Sequence, residues 1–199
     1  MSRYTVVITG ASGSVYGLRL IEQLLIRDNE VAACFTDAGR DVCAYETGFD
    51  LPEKEAAKAI SRFLEIPAEA HKLRCVSPSD LFDPIASGSH RVDGMVVCPA
   101  SMGFVSKVAN GLSSDLPSRA ADVALKERTP LIVVPRETPL SLVHLRNLTA
   151  LAEAGAVVLP AMPGFYQRPR TLDDSVNFVV GKVLDSLGID HELFSRWGE

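Results

Sequence analysis

Short apolar runs rich in valine and isoleucine alternate along this chain with stretches whose apolar positions recur every three to four residues. The runs fall at 4–9 (YTVVIT), 30–36 (EVAACFT), 72–76 (KLRCV), 94–99 (GMVVCP), 130–135 (PLIVVP) and 156–160 (AVVLP). Near-continuous apolarity over five or six residues marks strands buried on both faces. Helical periodicity predicts helices over about 14–28, 101–110, 118–128, 141–154 and 171–187. Along the last of these, Leu172, Val176, Val179, Val183, Leu184 and Leu187 form one stripe. The segment 50–70 is more polar and reads as a helical excursion. Strands alternating with helices imply right-handed crossovers and a parallel sheet covered by helices on both faces. No repeat, linker or low-complexity tract interrupts the pattern, so the expectation is one α/β domain over 1–199, with 190–199 as a tail.

Composition narrows the function classes. The chain has 199 residues, 47% of them hydrophobic, enough for a sizeable core. Its net charge is −5 and no basic patch carries interleaved aromatics, which argues against nucleic acid. No apolar run approaches the roughly 20 residues that span a bilayer. The N-terminus reads as a strand entering a turn rather than a signal peptide. Cys34, Cys43, Cys75 and Cys98 show no C-x-x-C spacing, and the four histidines are scattered. Reduced thiols in a cytoplasmic protein without a metal site are therefore expected.

Candidate chemistry sits after the strands, where open parallel sheets bind ligands. Gly10-Ala11-Ser12-Gly13-Ser14 follows the first strand, Thr36 ends the second, Ser101-Met102-Gly103 follows the fourth and Arg136-Glu137 the fifth. Tyr166 lies in the turn AMPGFYQRPR after the sixth. The turn TGASGSVYG fits neither G-x-G-x-x-G nor the short-chain dehydrogenase pattern. Its glycines and the following helix N-terminus still suit a phosphate, so a mononucleotide such as a flavin is favoured over NAD, with a purely structural turn as the alternative. Arg119 and Lys126 lie seven apart, two turns or about 10 Å along one helix face. They read either as a solvated basic face, or as an anion site within the chain or completing a neighbouring subunit's.

Four segments together carry a family resemblance: TGASGSVYGLRL, RAADVALKERTPLIVVPRETPL, HLRNLTALAEAGAVVLPAMPGFYQRP and the tail RWGE. The chain resembles the UbiX-type flavin prenyltransferases, of the homo-oligomeric flavin-containing cysteine decarboxylase-like superfamily. The resemblance is loosest at 50–80. It implies a Rossmann-like (flavodoxin-like) fold and a metal-independent enzyme. The reaction implied joins a dimethylallyl group from dimethylallyl monophosphate to N5 and C6 of reduced FMN, giving prenylated FMN, the cofactor of UbiD-type decarboxylases. A homo-oligomer, expected to be a dodecamer, with sites at subunit interfaces is implied as well.

Carried over by position, the FMN-binding residues are Gly10, Ala11, Ser12, Thr36, Ser101, Met102, Gly103, Phe104 and Arg136. The prenyl-phosphate residues are Ser87, Arg119, Lys126, Tyr166 and Lys182, and the catalytic ones Glu137, Ser12, Glu46 and Lys126. Trp197 matches an aromatic near the prenyl group. Lys182 stands where the family often has Arg; Lys keeps the charge and lacks the bidentate fork. The only D-D pair, Asp173-Asp174, is not part of a D-D-x-x-D magnesium motif, which favours a monophosphate donor. A cysteine decarboxylase of the same superfamily and a non-catalytic flavin-binding subunit are the competing readings.

Overall fold

The computed structural model describes residues 1–66, 72–196 and 198. Its strands are β1 (Arg3–Ile8), β2 (Glu30–Phe35), β3 (Leu73–Val76), β4 (Gly94–Ala100), β5 (Leu131–Pro135) and β6 (Val157–Val158). They form one sheet in the order β3-β2-β1-β4-β5-β6, with every neighbouring pair parallel. The helices are α1 (Ser14–Leu25), α2 (Asp37–Thr47), α3 (Ala56–Phe63), α4 (Met102–Ala109), α5 (Leu116–Glu127), α6 (Leu142–Glu153) and α7 (Leu172–Ser186). This is the doubly wound, Rossmann-like α/β architecture that the alternation predicts.

Successive strand residues point to opposite faces. Val6, Ile8, Val96, Cys98, Ile132 and Val134 meet α1 and α7 through Leu18, Ile21, Val179 and Val183. Val7, Met95, Val97, Leu131 and Val133 meet α4, α5 and α6 through Val105, Ala120, Ala124 and Leu151. Both faces are thus buried, which is why the strands read as unbroken apolar runs. Each fully buried side chain of this size contributes about 1.5–3 kcal/mol.

Helix starts follow local chemistry. Thr36, Ser101, Asp115, Ser141 and Thr171 each accept a hydrogen bond from a backbone N–H in the first turn of α2, α4, α5, α6 and α7. Helix α2 was not expected from periodicity. Its signals are the Thr36 cap and the left-handed Gly48 at its end, φ 72°. The polar excursion contains α3, and 67–71 of it lies outside the described residues. Leu172 departs from its expected stripe: it is 86% exposed, at the first position of α7, before the helix settles on the sheet. Leu142, Val143 and Leu145 of α6 are exposed too, and α6 buries only Leu151 among its residues.

The chain leaves β1 toward β2 on one side of the sheet and returns to β4 on the other. The carboxyl ends of β1 and β4 therefore form the topological switch point, where such sheets bind ligands.

Candidate active site

Thr9 ties this switch point together. Only 1% exposed, it donates from Oγ1 to the Pro99 carbonyl (2.8 Å) and accepts from the Ser101 N–H (2.7 Å). The Gly10–Ser12 turn is thereby held beside the start of α4. Helix α2 comes equally close from the other side. A Cβ on Gly39 would stand 2.3 Å from the Ile8 carbonyl oxygen, and one on Gly10 would stand 2.6 Å from Ala38 Cβ. Only glycine permits that approach at either position. Arg136 closes the group, donating from Nε to the Ser12 carbonyl (3.1 Å). Gly10, Ala11, Ser12, Thr36, Ser101, Met102, Gly103 and Arg136 are thus drawn to one edge. The Met102 and Phe104 side chains are buried in the core under α4. Phe104 also gives its N–H to Ser101 Oγ (3.3 Å), so it shapes the helix start. Thr9 escaped the sequence reading; its one signal is a hydroxyl closing the apolar run YTVVIT.

Glu46 occupies an unexpected place. Its carboxylate accepts from the N–H groups of Gly13 (3.0 Å) and Ser14 (2.9 Å), capping α1 from the end of α2. Burial pushes this carboxyl up, but hydrogen bonds from the Ser12 side chain and the Ser14 and Gly13 backbone outweigh that. The group is held below the usual carboxylate range. The first turn was expected to offer these N–H groups to a flavin phosphate, and a carboxylate already has them. The first-turn N–H groups of α2 and α4, at Asp37, Ala38, Met102 and Gly103, have no intrahelical carbonyl to bond. They lie beside the Thr36 and Ser101 hydroxyls and are further anion donors at this edge. Past Thr36 opens a cleft of about 700 Å³, bounded by Arg40, Ser77, Ser79 and Ser114.

The adjacent charges Arg136 and Glu137 diverge. Arg136 turns to the β1 loop, whereas Glu137 Oε1 accepts from the Thr138 N–H (3.0 Å) and is exposed. Among the described residues no ion pair joins them. Pro135 ends β5 in the core, and a cis peptide precedes Pro139. Between these prolines the turn presents the carboxylate outward.

The remaining expected residues form two other groups. Helix α5 runs back along the sheet: the N–H of its first residue, Leu116, bonds the Pro78 carbonyl after β3, and its last turn leads into β5. Arg119 donates to the Ala86 carbonyl (3.2 Å) and pairs with Asp122 (2.8 Å), beside the turn holding Ser87. Lys126, two turns on, pairs with Glu127. Within the chain Arg119 and Lys126 each lean on their own acidic neighbour, Asp122 and Glu127.

Helix α7 carries the third group. It runs parallel to α1, with Arg19 pairing with Asp173 near its start and Arg27 donating to the Asp190 carbonyl beyond its end. Lys182 lies nine residues past Asp173, about 13 Å down the axis and away from the Gly10–Ser12 turn. Tyr166 packs edge-on against Phe178 of the same helix, ring centroids 5.7 Å apart. Trp197 lies outside the described residues. One chain thus presents three groups, at the carboxyl ends of β1 and β4, on α5 and on α7, and Asp115 at the start of α5 lines the cleft past Thr36.

The Flavoprotein family profile matches residues 1–184. A protein of Alkalihalophilus pseudofirmus named flavin prenyltransferase UbiX is 49% identical over 98% of this chain and 96% of its own. The chain belongs to the UbiX flavin prenyltransferase family. Among solved structures, AnUbiX (PadA1) in complex with FMN and dimethylallyl pyrophosphate aligns with TM-score 0.88 at 33% identity. That alignment covers 100% of this chain and 98% of that one. A dodecameric FMN-dependent UbiX-like decarboxylase from Escherichia coli O157:H7 aligns with TM-score 0.87 at 35% identity, over 99% and 100%.

The flavin edge fits FMN on its own chemistry. Gly10 and Gly39 let α2 pack closely against the end of β1. Thr36 and Ser101 bring hydroxyls beside helix N-termini suited to a phosphate, and Arg136 supplies a cation. Among the described residues no helix is long and apolar enough to cross a membrane.

Proposed function

We propose that this protein is a flavin prenyltransferase, transferring a dimethylallyl group from dimethylallyl monophosphate to reduced FMN and so making prenylated FMN. The observation that carries this reading is the partition of charge. A flavin-suited edge and two cationic groups lie on different parts of one chain, as expected where neighbouring subunits complete each site. Reduced FMN supplies the nucleophilic N5 and C6 that take up the dimethylallyl carbons.

The chain's own residues do the rest. Gly10, Ala11, Ser12, Thr36, Ser101, Met102, Gly103 and Arg136 hold and orient the flavin, with Phe104 setting the start of α4. When the carbon–oxygen bond of the donor breaks, negative charge gathers on the departing phosphate. Arg119, Lys126 and Lys182 stabilise that charge, with Ser87 and Tyr166 as hydrogen-bonding partners. Glu137, presented outward at the β5 turn, carries protons between the flavin and the phosphate. Ser12 and Glu46 keep the α1 turn rigid next to the reacting atoms. The assembly is a homo-oligomer, with a dodecamer as the expected size, and the product goes to a UbiD-type decarboxylase in the cytoplasm.

Anaerobic incubation with reduced FMN and dimethylallyl monophosphate, followed by flavin mass spectrometry, tests this reading. A prenylated flavin is expected. Flavin returned unaltered would leave a carrier role, and turnover with the diphosphate alone would reassign the donor.

A further inference from the structure

The α7 group holds a cation that no expectation covered. Asp185 accepts from Lys182 Nζ at Oδ2 (3.2 Å) and from Arg196 Nη2 at Oδ1 (3.1 Å). One carboxylate therefore bridges two cations, an arrangement that a phosphate also makes. Both cations remain about half exposed, at 48% for Lys182 and 46% for Arg196, so they stay open to a ligand. Asp185 itself is 21% exposed and is also approached by the buried His191, 3.3 Å from Nε2. His191 is fixed in turn, because its Nδ1 accepts from the Leu193 N–H (3.1 Å).

The tail is also fastened to the tyrosine loop. Gln167 donates from Nε2 to the Ser195 carbonyl (2.8 Å), and Phe194 packs on Phe178, centroids 5.2 Å apart, as Tyr166 does. Arg196 is thereby placed in the same cluster as Tyr166 and Lys182. A lysine at 182 brings one point charge where a dianionic group has two negative oxygens to satisfy. An arginine beside it supplies the planar fork that lysine lacks.

We infer that Arg196 is a further binding residue for the phosphate of the prenyl donor, set beside Lys182 by the Asp185 carboxylate that bridges the two. In the complex the phosphate takes over as counter-ion to both cations. This inference rests on the prenyltransferase reading and adds a residue to it.

The test is steady-state kinetics of prenylated-FMN formation with the donor varied, for wild type, Arg196→Gln and Asp185→Asn, alongside FMN titration. Arg196→Gln is expected to raise KM for dimethylallyl monophosphate about tenfold or more and to weaken inhibition by inorganic phosphate equally. FMN affinity should not change. Asp185→Asn removes the Arg196–Asp185 ion pair as Arg196→Gln does, but keeps both cations, and the Gln167 and Phe194 contacts still hold the tail beside α7, so its KM should rise less than threefold. Equal effects from the two variants would show that Arg196 only pins the tail and would overturn the inference, as would an unchanged KM in Arg196→Gln. Arg196→Lys, which retains the charge, is expected to recover part of the loss; no recovery in a variant with wild-type melting would also count against it. Failure of the underlying reading is distinguishable, because wild type itself would then form no prenylated flavin.

Discussion

Single side chains decide how charge is used at this edge. Glu137 stands two residues past a buried strand, with its carboxylate exposed and accepting from the Thr138 N–H. Glu137→Gln is nearly isosteric, so FMN should still bind. Single-turnover prenylation should slow by about 10²–10⁴, the usual cost of losing a general acid or base. Wild-type rates in this variant, followed by flavin absorbance and mass, would remove Glu137 from the chemistry. Gly39 faces a steric demand instead. An alanine there would bring Cβ to 2.3 Å from the Ile8 carbonyl oxygen, which is backbone and cannot swing aside. Gly39→Ala should cost about 1–3 kcal/mol in denaturant unfolding and weaken FMN binding, because α2 must back away from the turn.

At the scale of elements, helix α1 is capped from outside itself. Gly13 at its start offers no side chain, and Glu46 from the end of α2 takes the Gly13 and Ser14 N–H groups. The capping anion locks two helices together and sits at the positive end of α1. Its folded pKa lies below the carboxylate value of 4.5. The stabilisation is therefore full above that value and fades as pH falls through the folded pKa. Glu46→Gln should lose roughly 0.5–1 kcal/mol near neutral pH, a melting shift of about 1–4 °C for a chain of this size. The gap between wild type and variant should close in acid. A gap that persists undiminished well below pH 4 would rule out the ionic cap.

For the whole molecule, the separation of the three groups makes a prediction of its own. If the flavin edge belongs to one subunit and the α5 and α7 groups to its neighbours, lesions in different groups can complement each other. Lys126→Ala and Arg136→Ala homo-oligomers should each be nearly inactive. Oligomers assembled from both chains should recover measurable prenylation, because some interfaces join two intact halves. No recovery in mixed oligomers, verified by mass, would place the whole site within one chain. The exposed Leu142, Val143 and Leu145 on α6, with Phe82 at 99% exposure, are the sort of surface that subunits cover.

The order of strands and helices, the two buried faces and the polar residues at the strand ends were legible in the sequence by itself. These depend on periodicity and on residues adjacent along the chain. The quoted motifs carried the family as well, since PRETP, RAADVALKE and PGFY are contiguous strings. Helix α2 was missed because its signal lies in caps rather than in an apolar stripe. Leu172 was misplaced because a stripe does not say where a helix first touches the sheet. Only the tertiary structure put Glu46 on the N–H groups intended for a phosphate, turned Arg136 away from Glu137 and gathered Arg196 with Lys182 around Asp185. Glu46 meets Gly13 across 33 residues, Arg196 meets Asp185 across 11, and Arg136 turns to Ser12, 124 residues away. Local pattern cannot determine such contacts, because they depend on where the sheet delivers each loop.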